Sequence, residues 1–125
     1  YKNRTMHPLS EAENVLVENG RILQIRKNIS ESLQKQQIGE FLGIMMLSSD
    51  HVKILLERYS YLKKNHVGAF QNSSSLSNAY ITDMLQEIID SGINVNPVFT
   101  EGRWLEIDTP EDLKNAEKSI NKFQS

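Results

Sequence analysis

Hydrophobic positions along this 125-residue chain change their period several times, and each change marks an element. Asn14-Val-Leu-Val-Glu18 and Arg21-Ile-Leu-Gln-Ile25 are short β-rich runs on either side of Asn19-Gly20, a dipeptide that accepts the positive φ angles of a tight turn. Together they predict a β-hairpin. Residues 28 to 37 are polar and read as a loop or a short helical turn. Gly39 to Leu47 is a nearly unbroken apolar run of strand length, and continuous apolarity predicts a strand covered on both faces.

Ser49 caps the first predicted helix, in which Val52, Leu55, Leu56, Tyr59 and Leu62 recur every three or four residues. No period survives from residue 65 to 77, which predicts a mobile loop. A second helix is expected from about Asn78, with Ile81, Met84, Leu85, Ile88 and Ile89 as its buried stripe and Gly92 as its stop. Ile93 to Phe99 then reads as a strand, Glu101-Gly102 as a turn, and Arg103 to Ile107 as a short strand entering the third helix. At that entry Thr109 suits the N-cap and Pro110 the first helical position, and Asp112 is spaced to reach back to the cap's own N–H.

This order is α/β, with a hairpin and three main helices, and it has too few strands for a self-sufficient doubly wound sheet. Residues 1 to 13 read as an irregular lead-in and residues 14 to 125 as one domain. Beginning at Tyr1 with a mostly polar opening, the chain reads as an excerpt from a longer polypeptide.

Composition narrows the function classes. Lys and Arg total 14 against 16 Asp and Glu, with the signs interspersed, so no basic stripe addresses nucleic acid or an anionic membrane. No apolar run approaches bilayer length and no secretory signal opens the chain, which predicts a soluble protein. The absence of cysteine excludes thiol chemistry and fits a reducing, cytoplasmic setting.

Candidate chemistry concentrates in Trp104-Leu-Glu-Ile-Asp108-Thr-Pro-Glu-Asp112. Helix capping explains Thr109, Pro110 and Asp112. It leaves Glu106 and Asp108, which alternate with Leu105 and Ile107 and so project from one face of the predicted strand. His7, His51 and His66 occur singly without ligand spacing, and no serine sits in a Gly-x-Ser-x-Gly turn. The six glycines form no phosphate-cradling loop between a strand and a helix.

Four pieces in order carry a resemblance: Asn19-Gly-Arg-Ile with Lys27 after it; Gly39-Glu-Phe-Leu-Gly-Ile44; Ala79-Tyr-Ile-Thr-Asp83 followed by Leu85 and Gly92; and Trp104 to Leu113. In this order the chain resembles the C-terminal half of a nucleotidyltransferase of the sugar-phosphate and phosphocholine cytidylyltransferase type, including versions fused to phosphoenolpyruvate-mutase-like domains. The resemblance implies part of a Rossmann-like sheet and a reaction in which an acceptor phosphate attacks the α-phosphate of a nucleoside triphosphate, CTP being favoured, with release of pyrophosphate. The acceptor class it implies is phosphocholine, a phosphonate or a sugar phosphate. Positioning and neutralisation of phosphoryl charge carry such chemistry, with no covalent enzyme intermediate.

Residue by residue, the resemblance implies that Asp108 is a ligand of Mg²⁺ and that Lys27 meets the acceptor phosphate. Glu40 corresponds to an acceptor-contacting acid. Asp83 is read as capping its helix or contacting the acceptor, Glu106 as binding the acceptor or a water beside it or as a solvated edge carboxylate, and Tyr80 and Trp104 as core rings or as rings able to meet a quaternary ammonium. The nucleotide loop and the first metal-binding aspartate would come from an N-terminal half of the same protein, so this segment alone is expected to be inactive. A second reading makes the chain a non-catalytic metabolite-binding or assembly module of the same fold. A third treats Phe41 to Leu47 as an edge exposed by truncation, which predicts a homodimer or aggregation.

Overall fold

The computed structural model describes residues 12–29, 35–100 and 104–123. These form a mixed α/β arrangement of one three-stranded antiparallel sheet and three α-helices. The strands are β1 (Glu13–Glu18), β2 (Arg21–Lys27) and β3 (Gln36–Glu40), and the helices are α1 (Ser49–Asn65), α2 (Ile81–Asp90) and α3 (Pro110–Phe123). The chain divides into two compact units, one spanning Ala12–Pro97 and the other containing the described residues from Val98 onward. Of the predicted lead-in, residues 1 to 11 lie outside the described residues.

The hairpin forms where the sequence places it, with Asn19 at φ 50° and Gly20 at φ 76°, the paired positive angles of a type I′-like turn. Strand order is β2-β1-β3, so β1 is central. Three consecutive residues of β1, Val15, Leu16 and Val17, are buried, so side chains on both of its faces are covered, where a strand with one wet face would alternate. Pairing runs Glu18 to Arg21 and Val17 to Ile22, then slips so that Leu16 faces Gln24 and Glu13 faces Lys27. Leu23 is thus the extra residue of a bulge in β2.

The strand predicted over residues 39 to 47 is displaced. β3 spans Gln36–Glu40, and the apolar stretch that follows is not a strand, with Ile44 67% and Met46 96% exposed. Apolarity alone cannot hold a strand without a hydrogen-bonding neighbour, and pairing with β1 runs as far as the Phe41 N–H on the Glu13 carbonyl at 2.8 Å. The strand predicted over 93 to 99 is likewise an irregular segment, which meets β2 where the Ile22 N–H donates to the Val95 carbonyl at 2.9 Å. Pro97 has no N–H to extend a ladder. Trp104 to Ile107 form no strand, and the first residue predicted for that element, Arg103, lies outside the described residues.

The helices follow the pattern more closely. Ser48, one residue earlier than predicted, caps α1, its hydroxyl accepting the His51 N–H at 3.3 Å. Only the end of the α1 stripe is covered: Leu62 is buried and Leu55 half-buried, while Val52, Leu56 and Tyr59 are exposed. α2 starts at Ile81, after a short 3-10 turn over Leu76–Asn78. It ends on Gly92 at φ 90°, with the Gly92 and Ile93 amides on the Ile89 and Ile88 carbonyls, a Schellman arrangement that needs this glycine.

α2 joins two apolar clusters. Leu85 packs with Val15, Val17 and Ile25 of the sheet, and its neighbour Met84 packs with Leu62 and Phe70. Adjacent helical positions point about 100° apart, so α2 is buried on more than one side, including Thr82, Asp83 and Gln86. Burying a Leu or Met side chain stabilises by roughly 1.5–3 kcal/mol, which makes α2 the element that holds the first unit together.

Candidate functional site

The bulge at Leu23 determines what faces what at the open end of the hairpin. A turn centred on Asn19-Gly20 without a bulge would set Arg26 opposite Glu13. The one-residue slip places Lys27 there instead, and a slip of one exchanges the faces of a strand. Asn28, at φ 58°, then ends β2.

Around this end lies a cavity of about 440 Å³. Its walls come from Glu13 of β1, from Arg26, Lys27 and Asn28 at the end of β2, from Asn72 and Ser73 of the loop, and from Tyr80 and Asp83 at the entry to α2. The Lys27 ammonium stands 5.5 Å from the centre of the Tyr80 ring, a cation–π contact, and Tyr80 is 63% exposed. One face of that ring is therefore taken up by a cation of the protein itself.

Asp83 organises the wall. Its Oδ1 accepts the Asn72 N–H at 3.1 Å, and its Oδ2 accepts the Ser73 hydroxyl at 2.8 Å and the Tyr80 N–H at 2.9 Å. The carboxylate is thus an acidic N-terminal cap of α2 as well as the clasp of the preceding loop. The segment expected to be mobile from 65 to 77 instead contains an antiparallel bridge between Phe70 and Ser73, with Phe70 buried against Leu62 and Met84. Its sequence has no period because side-chain bonds to α2, rather than a repeating backbone pattern, organise it.

Glu13, half-buried at the start of β1, faces the same cavity. Burial pushes its carboxyl above the ordinary range, against the opposing effects of the Lys27 charge and a hydrogen bond from the Thr82 side chain, while the Asp83 charge adds to the rise.

Lys27, Tyr80 and Asp83 thus share one cavity. Glu40, at the end of β3 opposite Asn14, is half-buried and is not among the residues lining it. Trp104, Glu106 and Asp108 belong to the second unit and are exposed there. Asp112 accepts the Asp108 N–H at 3.2 Å, the Thr109 N–H at 3.0 Å and the Thr109 hydroxyl at 2.8 Å, and the Thr109 oxygen accepts the Asp112 N–H at 3.2 Å. This is the reciprocal capping box expected from the spacing.

Among the described residues no group of three or more His, Asp or Glu side chains is placed to hold a metal ion. Asp108 has the hard oxygen chemistry suited to Mg²⁺, but the described residues do not build a cage around it. No helix among them is long and apolar enough to cross a membrane.

Sequence reasoning did not single out Glu13, Asn72 or Ser73. The hairpin register was the available signal for Glu13, and the bulge disguised it by a residue. No protein-family model, no curated protein and no solved structure matches the chain.

Proposed function

We propose that the chain is the acceptor-binding and second-metal portion of a nucleotidyltransferase domain, transferring a nucleotidyl group, CMP favoured, from a nucleoside triphosphate to a phosphorylated small-molecule acceptor. The observation that carries this reading is the shared cavity of Lys27, Tyr80 and Asp83, positions named from motif order in segments far apart in sequence. The antiparallel sheet and α2 would belong to a larger Rossmann-like sheet. An N-terminal half of the same protein would complete it with the nucleotide loop, in a cytoplasmic enzyme.

In this reading Lys27 leaves the Tyr80 ring to meet the acceptor phosphate, a point charge suited to an oxyanion whose geometry changes during transfer. Asp83 acts on the site by holding the loop and the helix start in place, since its oxygens already accept three hydrogen bonds. Asp108 would give Mg²⁺ one carboxylate oxygen, and the bound metal would neutralise charge on phosphoryl oxygens.

The test is pyrophosphate release from CTP by the native gene product, with and without Asp108→Ala. Loss of most turnover with an unchanged circular dichroism spectrum is expected. Near-normal release by the variant would overturn the metal assignment.

A further inference from the structure

The scheme above gives Glu13 no role, yet its carboxyl lines the cavity directly opposite Lys27 in the hairpin register. The charged groups near it are Lys27 and Arg26 at the end of β2 and Asp83 on α2, with the Thr82 side chain donating a hydrogen bond to it. From the β3 side, the Phe41 N–H meets the Glu13 main-chain carbonyl, and Glu40 stands opposite Asn14. An oxyanion drawn to Lys27 would therefore enter beside two carboxylates. The Asp83 oxygens already accept three hydrogen bonds from the loop and the start of α2, whereas the Glu13 carboxyl accepts one from Thr82 and faces the cavity.

We infer that Glu13 couples oxyanion binding to proton uptake: a phosphate-type oxyanion held by Lys27 in this cavity enters together with one proton, taken from solvent onto the Glu13 carboxylate. The inference rests on reading the cavity as an acceptor-phosphate site. No covalent bond forms to the ligand, and the balance is one carboxylate and one proton giving one carboxylic acid. Two effects drive it in the same direction. The anion repels the ionised carboxylate, and it competes for the Lys27 ammonium that otherwise favours that ionised form. Once protonated, Glu13 changes from an acceptor into a donor facing the bound anion. Burial already tilts Glu13 toward the neutral form, the same direction in which a bound anion acts.

Sulfate is the probe, because it carries no titratable proton near neutrality and cannot itself supply the linkage. The 125-residue chain is titrated with sulfate at a series of pH values, following the Lys27 and Tyr80 resonances for binding and the Glu13 side-chain carboxyl carbon for protonation. The expected result is that sulfate raises the pKa of Glu13, and that affinity falls by up to about tenfold per pH unit between the free and the sulfate-bound pKa, the limit for one linked proton, and levels off above it. Glu13→Gln should bind sulfate with little pH dependence, and more tightly than the wild type at neutral pH. Sulfate that shifts Lys27 and Tyr80 while leaving the Glu13 titration unmoved would overturn the coupling and leave the anion site standing. Sulfate that perturbs neither Lys27 nor Tyr80 at any pH would overturn the anion site and the coupling together. The wild-type carboxyl titration decides between these results even if Glu13→Gln does not fold.

Discussion

The side-chain oxygen of Gln86 accepts the Ile25 N–H at 2.7 Å, joining the buried face of α2 to the outer edge of β2. Its amide nitrogen donates to the Leu23 carbonyl at 3.4 Å and to Asp90 at 2.8 Å. An edge strand presents unpaired backbone groups that invite association with other chains. Here a buried glutamine satisfies the edge at the bulge, and the Val95 carbonyl takes up the Ile22 N–H a little further along.

Gln86→Leu should therefore destabilise the first unit by roughly 1–3 kcal/mol, the cost of leaving a buried donor without a partner. Chemical denaturation measures the loss, and amide exchange should quicken at Ile25 in particular. An unchanged midpoint with unchanged exchange at Ile25 would show that this bond contributes nothing.

Asp83 makes a different prediction, because its bonds tie loop to helix rather than helix to sheet. Asp83→Ala removes an N-terminal cap and leaves the Asn72 and Tyr80 amides without their acceptor. A cap alone contributes about 0.5–2 kcal/mol, and the lost loop contacts add to that. Exchange should accelerate over residues 71 to 81 before it does in β1. Acceptor binding altered without any change in this loop would argue instead for direct contact between Asp83 and the ligand.

The pH dependence of stability follows from Glu13. Its carboxyl titrates above the ordinary range in the folded chain, mainly through burial, so the folded state holds the proton more tightly than the unfolded state does. That contribution is fully present below the ordinary glutamate pKa and is lost as pH rises through the raised value. Glu13→Gln should accordingly flatten stability from the ordinary glutamate pKa up through the raised value, measured as denaturation midpoints at a series of pH values. A wild-type chain that gains stability at this site over the same interval would reverse the sign and contradict the burial argument.

In the second unit, Asp112→Ala breaks the capping box of α3 and frees the Asp108 amide. A loss of about 1 kcal/mol of helix stability is expected, seen as reduced helical circular dichroism on mild heating. Because Asp112 fixes the backbone at Asp108, the same variant should weaken any Mg²⁺ effect in the native gene product. An unaltered helix signal would place the stability of α3 elsewhere.

Local chemistry was legible in the sequence, and pairing was not. Asn19-Gly20, Gly92 and the Thr109–Asp112 spacing act through their own backbones, so hairpin, helix stop and capping box could be read without knowing any neighbour. The apolar run from Gly39 to Leu47 could not, because whether it forms a strand depends on a partner, and pairing with β1 gives out at Phe41. The loop from 65 to 77 was opaque for the opposite reason: its order comes from Asp83, a residue outside it. At the site, Lys27 and Tyr80 could be named singly, but their contact depends on a bulge that no local signal announces.

The most direct test of the central claim is the acceptor dependence of pyrophosphate release by the native gene product, compared between wild type and Lys27→Ala. If Lys27 holds the acceptor phosphate, the variant should need at least about tenfold more acceptor to reach half-maximal rate, equivalent to about 1.4 kcal/mol of lost binding, with the dependence on CTP little changed. An unchanged acceptor dependence, in an enzyme that still releases pyrophosphate, would contradict the placement of the acceptor in this cavity.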